Sequence, residues 1–161
     1  MSSAPETVQE ISRWFFDDYV PLWNELARDA TSDPAVLLQY WSPPMHFIVE
    51  DPDTRRTMND WATTEKDILA ILREQHRPLR AASYVDTTVL DRRIFVYTPN
   101  AAGIDAIWSR RSVTAEIERL LVHFEVRRRL DGSWRVTSIV AQTTSEQTID
   151  AARAAGFTEP N

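Results

Sequence analysis

The sequence predicts an α+β fold, in which helices cover one face of a curved antiparallel sheet. The first half of the chain carries apolar residues at helical spacing, whereas the second half is rich in Val, Ile, Thr and aromatic residues. Helices followed by a long run of strands are typical of α+β layering. At 161 residues the chain suits one domain over residues 1–161, with its core at about 6–144 and a short helix or polar tail at 145–161.

Three helices are predicted before the main run of strands. The first covers residues 6–28, where apolar and aromatic side chains recur at helical spacing. A short second helix begins after Asp33, which is a suitable N-cap, and is ended by Pro43-Pro44. The third is predicted over residues 58–75, with Trp61 among its core-facing side chains.

Five strands are predicted, over residues 45–49, 82–97, 104–113, 117–130 and 134–143. Asp131-Gly132 is a strong hairpin signal between the last two strands. After them, Ser145 is a suitable cap for a final short helix that stops near Gly156.

Alternation in the strand over residues 117–130 separates its two faces. One face carries Leu120, Val122, Phe124 and Val126. The other face carries His123, Glu125, Arg127 and Arg129. We expect the apolar set to face the helices and any cavity beneath them, and the polar set to face solvent or another subunit.

Composition excludes several classes of function. A chain without cysteine has no disulfide, thiolate metal site or cysteine nucleophile. Its three histidines are far apart and its three glycines are well separated, so we predict no metal site, no phosphate-binding loop and no cofactor. The chain lacks a long apolar run and a secretion signal, which predicts a cytoplasmic protein with no membrane association.

Charge argues against nucleic acid as a partner. The formal net charge is -6, whereas proteins that bind nucleic acid neutralise phosphates with a basic surface. Arginine nevertheless occurs in pairs and triplets, at residues 55–56, 92–93, 110–111 and 127–129. We interpret them as a mixed-charge solvated or subunit-contact face, with a surface for an acidic partner as the alternative.

Three segments carry a resemblance to a known family. They are the aromatic first helix with Tyr19 and Trp23-Asn24, the segment 38–44 (Leu-Gln-Tyr-Trp-Ser-Pro-Pro), and the closing hairpin at 129–136. Over about residues 6–144 the chain resembles the nuclear transport factor 2-like (SnoaL-like) superfamily. The resemblance implies a cone-shaped, cystatin-like α+β fold with one internal pocket, and a homodimer formed through the sheet. This scaffold hosts isomerases, dehydratases, epoxide hydrolases, polyketide cyclases and non-catalytic binding modules.

A resemblance to ketosteroid isomerase-like members implies two catalytic residues. The segment Val49-Glu50-Asp51-Pro52 is similar to the sequence around their proton-transferring aspartate, which makes Asp51 the candidate base. Tyr19 matches the tyrosine that donates a hydrogen bond to the substrate oxyanion. At the position of their third residue, a protonated acid, this chain has Val126, which donates nothing. If Asp51 entered an apolar pocket, burial would raise its pKa towards that of a general base.

Other residues are candidates on their own chemistry. His46 is a candidate acid or base because the imidazole side chain suits proton transfer, whereas His76, near the end of the third helix, is expected to interact with the helix C-terminus. Aromatic and apolar residues beside a cavity suit a flat, apolar ligand. The predicted ligand-binding residues are Trp23, Trp41, Tyr84, Trp108, Val122, Phe124 and Val126, with Asp86 and Arg110 as further possible lining residues.

Two classes of function remain open from the sequence. The first is a protein that binds a small apolar or aromatic metabolite and catalyses isomerisation, dehydration, cyclisation or epoxide opening without a cofactor, by general acid–base chemistry. The second is a non-catalytic dimeric module that binds a ligand or a protein. An open pocket with at least two polar groups favours the enzyme, and an interior filled by Trp and Phe side chains favours the module.

Overall fold

A computed structural model of the chain describes residues 3–51 and 53–156. The chain begins with a long helical stretch, made of α1 (Ala4–Ser12), a π-helical segment (Arg13–Tyr19) and α2 (Val20–Arg28). Ser3 and Glu6 form a capping box at its start, so two orphan backbone donors are satisfied. This stretch confirms the first predicted helix. No helix in the described ranges is long and apolar enough to cross a membrane.

The remaining elements form one sheet with helices on both sides. The strands are β1 (Trp41–Glu50), β2 (Thr57–Ala62), β3 (Tyr84–Thr98), β4 (Ala101–Ser112), β5 (Glu116–Arg128) and β6 (Trp134–Thr143). A 3₁₀ helix (Pro34–Gln39) precedes β1, α3 (Glu65–Ala81) precedes β3, and α4 (Ile149–Ala155) follows β6.

The sheet is curved and its strand order is β2-β1-β6-β5-β4-β3. All neighbouring strands are antiparallel except β1 and β6, which pair in parallel. The N-terminal helices and α3 cover the concave face, here called the inner face, while α4 packs on the opposite, outer face. The predicted α+β class is therefore confirmed, with one parallel pairing that the sequence did not indicate.

The predicted second helix is shorter and tighter than expected. Asp33 caps it as predicted, since its side chain accepts a hydrogen bond from the backbone N of Ala35 at 2.9 Å. Pro43-Pro44 do not end a helix but lie inside β1, which corrects the prediction. They fall where the β1–β6 register shifts between Trp41 and His46, and residues without an N–H are tolerated at such an irregularity.

The segment predicted as one helix over residues 58–75 is a strand followed by a helix. β2 pairs with β1, and α3 begins only after Thr64, which forms a capping box with Asp67. Trp61 lies on β2 and is 58% exposed, so its predicted core position is wrong. The cross-strand pairing of Trp61 with His46 outweighs the helical spacing of a single aromatic residue.

The alternation predicted for β5 is confirmed. Leu120, Val122, Phe124 and Val126 are all at least 93% buried on the inner face. On the outer face, α4 is capped by Thr148 and not by Ser145, and it ends before Gly156 as expected. The inner face of β5 therefore forms one wall of the space beneath the helices.

Candidate functional site

A cavity of about 570 Å³ lies between the inner face of the sheet and the helices. Its aromatic walls come from both layers and consist of Tyr19, Trp23, Trp41, Trp108 and Phe124. Val122 of β5 lines it as well. A volume of this size with aromatic walls and convergent polar groups is typical of small-molecule sites.

The hydroxyl of Tyr19 is a polar group in the wall of this cavity. Tyr19 is 1% exposed, and its oxygen accepts a hydrogen bond from Nε1 of Trp41 at 3.1 Å. Within the described residues, nothing accepts the proton of this hydroxyl. Burial raises the pKa of Tyr19 well above its ordinary value, so the hydroxyl stays protonated at neutral pH. Tyr19 can therefore donate a hydrogen bond to an oxygen of a ligand.

An ion pair between Arg110 of β4 and Glu118 of β5 also lines the cavity. Nη1 of Arg110 donates to Oε1 of Glu118 at 2.6 Å. The guanidinium lies 4.5 Å from the ring centroid of Trp23 and 5.7 Å from that of Trp108. Glu118 was missed from the sequence, although alternation back from Leu120 assigns it to the inner face and would have found it.

His76 of α3 is buried in the same layer. It is 2% exposed, and its ring meets that of Trp23 edge to face at 4.8 Å between centroids. Burial lowers the pKa of His76 to about 3, with the charges of Arg80 and Arg110 acting in the same direction. The predicted interaction with the helix C-terminus, which favours a protonated ring, is therefore wrong, because His76 is neutral.

Asp51 lies at the mouth of the cavity, in the turn after β1. Its Oδ1 accepts hydrogen bonds from the backbone N of Thr54 at 2.7 Å, from the Thr54 hydroxyl at 3.0 Å and from the backbone N of Asp53 at 2.9 Å. These bonds, led by those from Thr54, lower the pKa of Asp51. Desolvation acts in the opposite direction but is outweighed by these bonds, so this carboxylate is a weak proton acceptor. Its catalytic role stays a prediction.

Three of the predicted site residues do not line the cavity. His46 lies on the outer face, where its ring stacks on Trp61 at 4.3 Å between centroids and its Nε2 contacts Asn59. The hydroxyl of Tyr84 donates to Oδ1 of Asn24 at 2.8 Å. Val126 is fully buried in the core. Tyr19, Trp23, Trp41, Asp51, Trp108, Val122 and Phe124 are the predicted residues that the fold brings together.

The outer face carries a second polar cluster beside α4, next to a smaller cavity of about 330 Å³. Asp105 is fully buried and accepts from Nδ1 of His123 at 2.5 Å and from Arg153 of α4. Nε2 of His123 lies 2.8 Å from Oε1 of Glu125. The hydrogen bond with Asp105, and then that with Glu125, raise the pKa of His123 despite partial burial. In the described part of the chain, no three such side chains are arranged to hold a metal ion.

Each of the four arginine clusters has an acidic partner within the chain. Ion pairs join Arg55 to Glu50, Arg93 to Asp150, Arg110 to Glu118 and Arg128 to Glu10. Each cluster therefore contributes at least one guanidinium to pairing within the protein. At residues 55–56, 92–93 and 127–129 this arrangement fits the interpretation as a mixed-charge surface better than a surface for an acidic partner. Arg110 departs from that interpretation because it is buried at the inner-face cavity.

Solved structures with a similar fold come from several organisms. A protein of Novosphingobium aromaticivorans, described as NTF2-like with a cystatin-like fold, is 17% identical with a TM-score of 0.58, covering 98% of this chain and 99% of that one. An NTF2-like superfamily protein of Salmonella enterica is 19% identical with a TM-score of 0.59, covering 96% and 100%. The yeast complex of deubiquitinase Ubp3 and its Bre5 cofactor contains a chain 12% identical with a TM-score of 0.62, covering 86% and 98%. At these identities the likeness shows the fold alone.

Sequence comparison identifies the family more closely. No curated protein is similar enough in sequence to count as a relative. Residues 9–144, however, match the family described as NTF2-like protein (DUF6841). This match spans most of the chain and agrees with the segments at 129–136 and around Tyr19 that carried the resemblance. The chain therefore belongs to the DUF6841 family of NTF2-like proteins.

Proposed function

We propose that this protein binds a small, largely apolar or aromatic metabolite in the inner-face cavity. The observation that carries the proposal is the Tyr19 hydroxyl, a buried donor without an acceptor among the described residues, set in a wall of aromatic rings. An unmade hydrogen bond of a buried group is costly, and a ligand oxygen would satisfy it. The aromatic rings supply apolar contact area for a flat molecule.

Proton-transfer chemistry without a cofactor is the catalytic form of this proposal. Tyr19 would stabilise negative charge that develops on a ligand oxygen, and one of the carboxylates lining the cavity would move the proton. Asp51 is the carboxylate named from the sequence, and Glu118 is a second one, held by Arg110 inside the cavity. Isomerisation, dehydration, cyclisation and epoxide opening all fit this set of groups.

A non-catalytic dimeric module is the alternative. Aromatic side chains supply much of the cavity wall, which favours binding alone, whereas the presence of Tyr19 and the Arg110–Glu118 pair favours chemistry. Association through the outer face is the dimer that we propose for such a module. Measuring turnover of a bound ligand by wild type and by Asp51→Asn and Glu118→Gln separates the two functions.

Ligand binding is testable with a neutral apolar probe, N-phenyl-1-naphthylamine, whose fluorescence rises in apolar surroundings. Ala141→Phe adds a ring to the cavity wall and is expected to weaken probe binding at least tenfold, because the ring occupies the space of the ligand. Val113→Phe, at a position that is 85% exposed, is the matched control and leaves binding unchanged. Equal binding by wild type and Ala141→Phe, with both folded by circular dichroism, would rule out this cavity as the site.

Tyr19→Phe tests the hydrogen bond itself. The change removes the hydroxyl and keeps the ring that stacks on Phe15 at 4.8 Å between centroids. For a ligand with an oxygen in reach of Tyr19, affinity falls by about five- to tenfold, which corresponds to one hydrogen bond of about 1 kcal/mol. An unchanged affinity for oxygen-bearing ligands would remove Tyr19 from the binding machinery.

A further inference from the structure

The mouth of the cavity is strongly acidic. Its charged side chains come from the end of β1, the turn after it, β2 and α3. They are Glu50, Asp51, Asp53, Arg55, Asp60, Glu74 and Arg77. These amount to five carboxylates and two guanidinium groups, a formal charge of about three negative units among the described residues. The interior contributes no net charge, because Arg110 and Glu118 neutralise each other.

Both guanidinium groups at the mouth already form ion pairs with carboxylates of the chain. Nε of Arg55 lies 2.8 Å from Glu50, and Arg77 contacts both Glu74 at 3.3 Å and Asp53 at 3.5 Å. Asp51 and Asp60, in contrast, form no ion pair with any described residue. The uncompensated charge at the entrance is therefore negative, and it opposes the approach of an anionic ligand.

The Tyr19 hydroxyl, in the wall of this cavity, is a buried donor without an acceptor among the described residues. The rings of Trp23, Trp41 and Trp108 surround the same space. The interior thus matches acceptor atoms and aromatic rings, whereas the mouth matches positive charge.

We infer that the ligand of this cavity is a cationic amphiphile, whose aromatic or apolar body fills the interior and whose amine lies at the mouth beside Asp51 and Asp60. The inference rests on the proposed function and adds the charge class of the ligand to it. An ammonium at the mouth gains from the negative field and keeps part of its hydration, while a carboxylate there meets like charges.

The test compares three ligands that share one ring system: 2-(1-naphthyl)ethylamine, 2-(1-naphthyl)ethanol and 1-naphthylacetate, titrated by isothermal calorimetry at pH 7 and low salt. The expected order of affinity is amine, alcohol, carboxylate, with at least a tenfold difference between the first and the last. In 0.5 M NaCl the difference shrinks, because exposed charges are screened.

A double variant assigns the preference to its residues. The double variant Asp51→Asn, Asp60→Asn removes two charges but keeps the side-chain oxygens that accept hydrogen bonds in the turn and from the backbone N of Trp61. The affinities for the amine and the carboxylate are then expected to differ by no more than about threefold. Asp29→Asn, at an exposed carboxylate that does not line the cavity, is the matched control and preserves the wild-type order.

The outcomes separate the inference from the proposed function. Equal affinities for amine and alcohol, or tighter binding of the carboxylate, overturn the cationic class and leave the small-molecule site intact. Binding of none of the three ligands overturns the small-molecule site and the charge class together. A preference that survives in the double variant shows that Asp51 and Asp60 do not select the ligand, which also overturns the inference.

Discussion

The pKa of histidine shifts in opposite directions on the two faces of the sheet. On the inner face, His76 is buried against Trp23, and the loss of hydration lowers its pKa to about 3. On the outer face, His123 lies between Asp105 and Glu125, and their carboxylates raise its pKa. Neighbouring groups, and not the residue type, decide which form of histidine the fold stabilises.

The comparison extends to ionic groups on each face. Inside, Arg110 and Glu118 form one pair that is largely cut off from water, with side chains 11% and 29% exposed. Outside, Arg93 and Asp150 are 42% and 77% exposed. Removing one partner of a buried pair strands a charge, whereas water solvates the remaining partner of an exposed pair. Removing one charge should therefore lower the free energy of unfolding more on the inner face than on the outer face.

The largest expected effect comes from Glu118→Ala. This change leaves Arg110 without its ionic partner in a desolvated site and is expected to lower the free energy of unfolding by about 3 kcal/mol. Asp150→Ala is the matched change on the outer face, and its expected cost is much smaller because water solvates the remaining Arg93. Urea denaturation of both variants measures the difference, and equal costs would contradict the contrast between the faces.

Acid pH sharpens the contrast at His76. The folded pKa of about 3 lies below the ordinary value, so the unfolded chain takes up this proton first, and stability is lost as the pH falls from about 6.5 towards 3. At pH 4.5 the loss from this group is about 3 kcal/mol. His76→Phe removes the titrating group, so the free energy of unfolding of the variant should rise steadily relative to that of wild type as the pH falls. A difference in unfolding free energy that does not change between pH 7 and 4.5 would show that His76 is not buried neutral.

The smallest expected effect has the opposite sign and comes from His123. Its folded pKa is raised, so its contribution to stability is fully present below about pH 6.5 and is lost as the pH rises through the folded pKa. The effect is expected to be smaller than that at His76, because the His123 side chain is 27% exposed. Thermal unfolding of wild type and His123→Gln between pH 6 and 9 should show the two curves converging at high pH. Curves that diverge there would reverse the sign assigned to the outer face.

Much of the fold could be predicted because its signals are local and repeated. The apolar row of β5, from Leu120 to Val126, recurs every second residue, and the first helical stretch has five aromatic residues within residues 14–23. β2 was missed because it has only six residues, and its strand character depends on pairing with β1, which the sequence of β2 alone does not indicate. The parallel pairing of β1 and β6 joins distant parts of the chain, and no local pattern reports it.

The candidate site could be predicted only in part. Tyr19 was named from the family resemblance and Trp23 from aromatic residues at helical spacing, whereas Trp41, expected on a helix, lies at the start of β1. The sequence did not show which face of the sheet His46 occupies. In the structure its neighbours Met45 and Phe47 are buried on the inner face, so His46 lies on the outer face. Tyr84 points to Asn24 and Thr87, a choice made by hydrogen bonding that spacing does not reveal.

By itself the sequence determined the α+β class, the inward face of β5 and the absence of thiol chemistry, because these follow from residue type and period along one segment. Only the tertiary structure decided that Arg110 pairs with Glu118 above Trp23, that His76 is neutral and that carboxylates from β1, β2 and α3 meet at one cavity mouth. These features depend on distances between side chains far apart in sequence, and electrostatic and desolvation energies are set by those distances.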